Sequence, residues 1–369
     1  MKRPIKVLIF SVSIGAGHDS VAEAMAERLL AESPGSKVKI IDTIRYINGL
    51  LNKVVVGSYM ETLRFTPRVW GYLYERVEQG ERLIEFSQLL AKLLSTKICQ
   101  LIAEFTPDVI ITTHAFSTNL LGEMKCQGKV KPLLVSFVTD FHIHRVWISK
   151  GIDLYFIHSP DIATPLIQAG IKHEQIKPVG IPIRMQFAAH WGAQDLRKRF
   201  TTSGNPVVMV MGGGLGLGRM KTITKELLSH EQFAIVVVAG KNKRLYKRLE
   251  KRQDSQLHLF GYEKNIAEII AACDLIVSKP GGVTSAEILA LGKPLIIYAA
   301  LPGQENRNAT YLLEHNAAMK VKELAVLNKK LMELWQNQER LELMREKARI
   351  LGSPLASKLA WREIWAYWD

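Results

Sequence analysis

The run Val207-Val208-Met209-Val210-Met211-Gly212-Gly213-Gly214-Leu215-Gly216-Leu217-Gly218 sets five apolar residues against a turn holding five glycines. A short continuous apolar run that stops on glycine reads as a strand buried on both faces, the kind found in parallel sheets. The chain opens with the same device. Val7 to Ser13 runs into Ile14-Gly15-Ala16-Gly17-His18. Further runs lie at Val38 to Asp42, Val109 to Thr113, Leu133 to Thr139 and Leu154 to His158. After the second glycine turn come Ile235 to Ala239, Leu275 to Ser278 and Leu295 to Tyr298. Apolar strands alternating with helix-length segments give an α/β class with parallel sheets. Two such series predict two Rossmann-like, doubly wound domains. Ligands of open parallel sheets bind outside the carboxyl ends of the strands, so the expected ligand position is a cleft faced by both glycine turns.

A length of 369 residues suits two domains. The strand series is interrupted between about residues 184 and 206, where Thr201-Thr202-Ser203-Gly204-Asn205-Pro206 is a loop signature. The expected division is an N-terminal domain at 1–185, a linker at 186–205 and a C-terminal domain at 206–345. A C-terminal helix at 346–369 is expected to pack back toward the N-terminal domain, with Trp361, Trp365 and Trp368 on one face.

Lys plus Arg number 49 against 35 Asp plus Glu, a net charge of +14. Polyanions are the natural partners of such a chain. A nucleic-acid partner is not expected, because no recognition helix or paired RNP-type aromatics appear. Cys99, Cys126 and Cys273 are isolated, which argues against a disulfide scaffold and a Cys-rich zinc site. No secretory signal is read at the N-terminus, and no stretch approaches the roughly 18 to 20 apolar residues of a membrane span. The expectation is a cytoplasmic protein, peripheral on the inner face of the membrane. From Leu51 to Arg76 aromatic residues alternate with Lys and Arg, Tyr59 and Trp70 among them. Either a buried helix pair or a surface lying in an anionic membrane interface fits this pattern. The basic run Lys241 to Arg252 reads as a solvated helix face.

A strand ending in glycines and followed by a helix is an anion site, since backbone N–H groups approach phosphate and the helix N-terminus adds positive partial charge. Gly15-Ala16-Gly17 begins like a dinucleotide fingerprint with Asp42 as ribose ligand, but Ser20 stands where the third glycine belongs. Gly218 is followed by Arg219-Met220, so the second turn is not a Walker P-loop. More informative is Ser278-Lys279-Pro280-Gly281-Gly282-Val283-Thr284-Ser285-Ala286-Glu287. Its Pro-Gly-Gly turn feeds a helix whose amides and hydroxyls suit a diphosphate, with Glu287 placed for a ribose diol. An ordinary helix with a glutamate in its first turn is the competing explanation. Pro302-Gly303-Gln304-Glu305-Asn306-Arg307-Asn308 is rich in groups that hydrogen-bond sugar hydroxyls. No DxD pair of the kind that holds a metal at a diphosphate is found, so no metal and no cofactor are expected.

Together, Gly15-Ala16-Gly17-His18, Val138-Thr139-Asp140-Phe141 with His144 and Trp147, Gly180-Ile181-Pro182-Ile183-Arg184, Gly212-Gly213-Gly214 with Gly216, Lys279-Pro280-Gly281-Gly282 with Thr284 and Glu287, and Pro302-Gly303-Gln304-Glu305 with Asn308 stand in one order. This set resembles the diacylglycerol glycosyltransferases: the plastid monogalactosyldiacylglycerol synthases and the bacterial processive diacylglycerol glucosyltransferases of glycosyltransferase family 28. The likeness spans about residues 5 to 320. It implies a GT-B fold with an N-terminal lipid-acceptor domain and a C-terminal UDP-sugar domain. It also implies inverting transfer of a hexose from a UDP-sugar to diacylglycerol without a bound metal, glucose being favoured over galactose.

On that resemblance His18 is the base that takes the glycerol proton. Asp140 orients the acceptor or assists the base, and His144 follows one helical turn beyond. Gly15, Gly17, His144, Trp147, Tyr59 and Trp70 are assigned to the acceptor. Gly281, Gly282 and Thr284 take the diphosphate, helped by Arg184 and by Gly212, Gly213 and Gly214. Glu287 holds the ribose, Tyr262 lies against the uracil, and Gln304, Glu305 and Asn308 meet the sugar or a phosphate. The expected partners are a UDP-sugar, diacylglycerol and anionic membrane lipids. Competing readings are a related enzyme using UDP-N-acetylglucosamine, of the lipid I transferase or 2-epimerase kind, and a non-catalytic basic protein that binds membranes.

Overall fold

A computed structural model of the chain describes residues 2–13, 15–47, 95–202, 204–252, 254–298 and 300–368. The segment 51–76, with Tyr59 and Trp70, lies outside the described residues. The chain divides into two units. One comprises Met1–Met185, Pro302–Gln304 and Leu355–Asp369, the other Gln186–Leu301 and Glu305–Pro354.

The first unit is built on a six-stranded parallel sheet in the order β2-β1-β3-β4-β5-β6. Its strands are β1 (Lys6–Ser11), β2 (Lys37–Asp42), β3 (Val109–Thr112), β4 (Leu133–Phe137), β5 (Leu154–Ile157) and β6 (Ile176–Pro178). The central strands have no exposed residue, as their unbroken apolar runs require, whereas edge strand β2 buries only Ile41. Helix α1 (Ala16–Glu32) follows β1, α2 (Thr43–Ile47) follows β2, and α3 (Ala115–Cys126) follows β3. The chain runs from β1 to β2 on one side and then returns to place β3 on the other. The order therefore reverses between β1 and β3, which opens a crevice at their carboxyl ends.

The second unit repeats the plan with a six-stranded sheet ordered β12-β11-β10-β7-β8-β9. Its strands are β7 (Val207–Met211), β8 (Ala234–Val238), β9 (Leu257–Phe260), β10 (Leu275–Ser278), β11 (Leu295–Ile297) and β12 (Ala318–Lys320). Here the order reverses between β7 and β10, in register from Val208 opposite Leu275 to Met211 opposite Ser278. In chain order the helices are α4 (Thr164–Gln168) in the first unit, then α5 (Ala193–Arg197), α6 (Met220–Leu227), α7 (Lys243–Glu250), α8 (Ile266–Ala272) and α9 (Gly282–Ala290). They are followed by α10 (Gln304–Glu314), α11 (Leu327–Gln336), α12 (Gln338–Leu351) and α13 (Ala356–Ala366). Leu331 and Leu334 of α11 and Leu341 and Met344 of α12 close the core over Val208, Val210 and Ile235.

Several expectations need revision. β6, β9 and β12 were not anticipated: β6 and β12 have three residues each, and Leu257-His258-Leu259-Phe260 is only partly buried, so none carries a continuous buried run. The region 186–205 contains α5 and groups with the second unit. Residues 346–369 are not one helix, for Gly352 and Pro354 separate the end of α12 from α13, which groups with the first unit. In α13 Trp361 is fully buried, and its Nε1–H donates to the Met25 carbonyl of α1 at 2.9 Å. Lys2 Nζ lies 5.6 Å from the ring centre of Trp365, and the Arg3 guanidinium 5.2 Å from that of Trp368.

Candidate active site

At the first reversal point α1 starts directly after the glycine turn, with Gly15 as its N-cap and His18 in its first turn. His18 Nδ1 is 2.7 Å from the carbonyl oxygen of Thr113, which follows β3, and 3.2 Å from Thr139 Oγ1 beyond β4. A carbonyl can only accept, so Nδ1 carries the hydrogen of the neutral ring and Nε2 keeps its lone pair. Burial lowers the pKa of His18 from its ordinary 6.5, against the opposing influence of Asp140, the Thr113 carbonyl and Asp19. Asp19 is itself tied to the end of β1, accepting from Ser11 Oγ at 2.7 Å.

His114 was missed by the sequence reading. Its ring meets that of His18 edge-on with centres 4.6 Å apart, and its Nδ1 accepts the Phe116 N–H at 3.1 Å to cap α3. Burial, and then the charge of His18, hold its pKa well below 6.5. The signal for Thr113 and His114 was their place at the carboxyl end of a strand, once β3 is known to pair with β1. Trp147 is buried with its ring centre 6.4 Å from that of His18.

Asp140 is buried just after β4. His144 does not stand one helical turn beyond it, because residues 140–142 form a bend and 143–144 are irregular. His144 has an extended backbone and caps a short 3-10 turn, its Nδ1 accepting the Val146 N–H at 3.2 Å. His144 is fixed by that capping, with 1% of its surface exposed. Pro302–Gln304 groups with the first unit, and Gln304 Nε2 donates to Asp140 at 2.6 Å. Arg184, assigned to the donor, lies in the first unit with its Nε buried and unpartnered among the described residues.

In the second unit the reversal point gathers the loop after β7 and the turn after β10. Gly213 has φ of +67°, and a Cβ built on it would lie 3.6 Å from Thr284 Oγ1 and 3.8 Å from Lys279 Cε. Gly216 has φ of +59°, and a Cβ there would stand 2.0 Å from the Ala239 carbonyl oxygen. The first glycine keeps the loop low over the α9 N-terminus, whereas the second permits the loop to close on β8. Gly212 and Gly214 complete the loop: Leu217 N–H donates to the Gly212 carbonyl at 3.0 Å and Lys241 N–H to that of Gly214 at 2.9 Å.

Helix α9 begins at Gly282 with Gly281 as its N-cap and no side-chain cap, so its first amides are open to an anion. Thr284 lies in this first turn. Glu287 is the sixth residue of α9 and is buried, so a surface glutamate answering the helix dipole does not describe it. Glu305 forms an ion pair with Lys279 and accepts the Leu301 N–H at 2.9 Å. Asn308 is fully buried and donates to the Pro280 carbonyl at 3.1 Å, fixing the turn before α9. Tyr262 is 47% exposed after β9, with Lys241 Nζ 5.4 Å from its ring centre. Among the described residues no three of His, Cys, Asp and Glu gather as a metal site.

Comparison with known proteins bears on both units. Residues 18–183 match the model of the monogalactosyldiacylglycerol (MGDG) synthase family, and residues 207–359 that of the glycosyltransferase family 28 C-terminal domain. A processive diacylglycerol beta-glucosyltransferase of Bacillus pumilus is 30% identical over 97% of this chain and 94% of its own length. That of Bacillus subtilis is 27% identical over the same shares. Among solved structures, MurG of Acinetobacter baumannii superposes with a TM-score of 0.63 at 14% identity, covering 98% of each chain, a likeness of GT-B fold alone.

Proposed function

Because the chain belongs to the diacylglycerol glycosyltransferases of family 28, inverting GT-B enzymes that move a hexose from a UDP-sugar to diacylglycerol, we propose how its residues divide that reaction. His18 is the general base. Its Nε2 takes the proton of the glycerol hydroxyl while the hydroxyl oxygen attacks the anomeric carbon. The bond from that carbon to the β-phosphate oxygen breaks, and UDP leaves with the electron pair. The Thr113 carbonyl holds the tautomer this requires, and Asp140 stabilises the imidazolium that forms.

On the donor side the open amides of α9, Thr284 and the Gly212–Gly214 loop take the diphosphate, and Lys279 adds positive charge beside it. Glu287 takes the ribose, Tyr262 the uracil, and Gln304, Glu305 and Asn308 the sugar or a phosphate. Arg184 joins the leaving group. Gly15, Gly17, His144 and Trp147 serve the acceptor; Tyr59 and Trp70, outside the described residues, are assigned to it from the sequence. The favoured donor is UDP-glucose; the names of the Bacillus relatives specify glucosyl transfer.

The membrane contact is peripheral, on the cytoplasmic face, through anionic lipids. No described helix is long and apolar enough to cross a bilayer. The observation that carries the mechanism is the 2.7 Å contact between His18 Nδ1 and Thr113, which leaves Nε2 as acceptor. Incubation with diacylglycerol in anionic micelles and radiolabelled UDP-glucose or UDP-galactose, followed by lipid extraction, tests the reading. Label is expected in the organic phase from UDP-glucose. Absence of labelled lipid with both donors would overturn it.

A further inference from the structure

The second unit has a cavity of about 1160 Å³ at the edge of its sheet opposite the glycine turns. Asp274 immediately precedes β10 and accepts the Val207 N–H at the start of β7 at 2.8 Å, while Lys293 shortly precedes β11. These residues mark the amino ends of the strands, and all of them line the cavity except Val207.

Its chemistry is cationic. Arg197, Lys198, Lys293, Arg345 and Arg349 line it, with Asp274 as the only acidic lining residue among the described residues. Arg197 pairs with Asp274 at 2.9 Å and Lys198 with Asp195 at 2.8 Å, while Arg345 and Arg349 share Glu342 at 3.3 and 2.9 Å. Among the described residues these pairs draw on the carboxylates of Asp274, Asp195 and Glu342. Lys293 Nζ has the carbonyl of Ala271 at 2.6 Å, a neutral partner. Burial holds its ammonium below the ordinary lysine range, and the charges of Arg345 and Arg349 add to that effect against Cys273 and Asp274.

Close packing sustains this crowding. Gly292 has φ of +61°, and a Cβ there would stand 2.7 Å from Arg349 Cγ, so the arginine lies across the bare backbone beside Lys293. Two indoles, Trp191 and Trp335, line the same cavity. A lone phosphate would fill a small part of this space, which is somewhat above the usual ligand-pocket size of roughly 300–1,000 Å³.

We propose that this amino-edge cavity is a second anion site, which takes a phosphate ester through Lys293, Arg345 and Arg349 with the organic part of the ester against Trp191 and Trp335. Arginine forks match phosphate oxygens bidentately, and an anion relieves the repulsion among the three cations. The ester is either a soluble metabolite or the headgroup of an anionic phospholipid. The site is separate from the donor turns and does not depend on the catalytic reading.

Calorimetric titration of the full chain with glycerol 3-phosphate and with inorganic phosphate tests the proposal. UDP is kept at saturation to occupy the donor turns, and an Arg345→Gln/Arg349→Gln variant runs in parallel. Sedimentation with phosphatidylcholine vesicles containing phosphatidic acid separates the two sources. We expect one-site binding of glycerol 3-phosphate, tighter than that of inorganic phosphate. The variant should weaken it about tenfold or more, roughly 1.4 kcal/mol, with UDP binding and melting temperature unchanged. Vesicle binding weakened in the variant assigns the headgroup, and vesicle binding unchanged beside the weakened titration assigns the soluble ester. No saturable binding of glycerol 3-phosphate, or equal binding by the variant, overturns the proposal. Should UDP itself fail to bind, the donor reading falls, while the glycerol 3-phosphate titration of the two proteins still reads this site.

Discussion

The proposed role of His18 as the base requires a neutral ring, and burial favours that form. Burial sets its pKa below 6.5, so the acid limb of kcat/KM against pH is expected to have its midpoint below that value; a midpoint above 6.5 would remove His18 as the base. Stability follows the same sign. The unfolded ring takes up its proton near 6.5 and the folded ring only at lower pH, so this contribution is complete above about 6.5 and is lost as the pH falls below it. His114 adds to the loss, because protonating both rings would set like charges on centres 4.6 Å apart. Melting temperature should therefore fall on acidification below 6.5, and less steeply in His114→Asn, which keeps an N-cap for α3. His18→Ala should lower turnover roughly 10²- to 10⁴-fold with UDP binding retained, measured by labelled-lipid formation and calorimetry. His18 was legible in the sequence because it follows a glycine turn on an apolar run. Its partner was not: the Thr113 carbonyl is 95 residues away, and only the pairing of β3 with β1 brings it near.

Within the elements, the two glycines of the second turn separate folding from binding. Gly216→Ala forces a Cβ into the Ala239 carbonyl at a positive φ and should destabilise the second unit by more than the roughly 1–2 kcal/mol of the dihedral alone. Gly213→Ala meets nothing closer than 3.6 Å, so the dihedral cost stands by itself, and the added methyl faces the turn assigned to the diphosphate. It should stay folded and bind UDP more weakly. Thermal melts with UDP titrations distinguish the pair, and equal effects on melting and binding would contradict this division. In α13, Trp361→Ala should cost about 3–5 kcal/mol, the usual loss for a buried tryptophan, as a lowered melting temperature. Strand legibility followed burial: β7 and β10 were found to the residue because both faces are covered, while β6 and β12 are three-residue edge strands with no period to read.

For the molecule as a whole, the excess of 14 positive charges carries the expectation of anionic-surface binding. Sedimentation with vesicles containing phosphatidylglycerol should be strong at low salt and weak in roughly 0.5 M sodium chloride, where screening shortens to a few ångströms. Binding indifferent to salt would leave that charge without this role. The grouping of Leu355–Asp369 with the first unit has a different consequence, for biosynthesis. A ribosome delivers a chain from its amino end, and units made of contiguous sequence fold as they emerge. The first unit cannot do so: the Met25 carbonyl, and the side chains of Lys2 and Arg3, have to wait for Trp361, Trp365 and Trp368. Residues 2 and 3 reach their final packing only after Trp361, Trp365 and Trp368 have left the exit tunnel, so a released chain truncated after Pro354 should carry a finished second unit and an unfinished first.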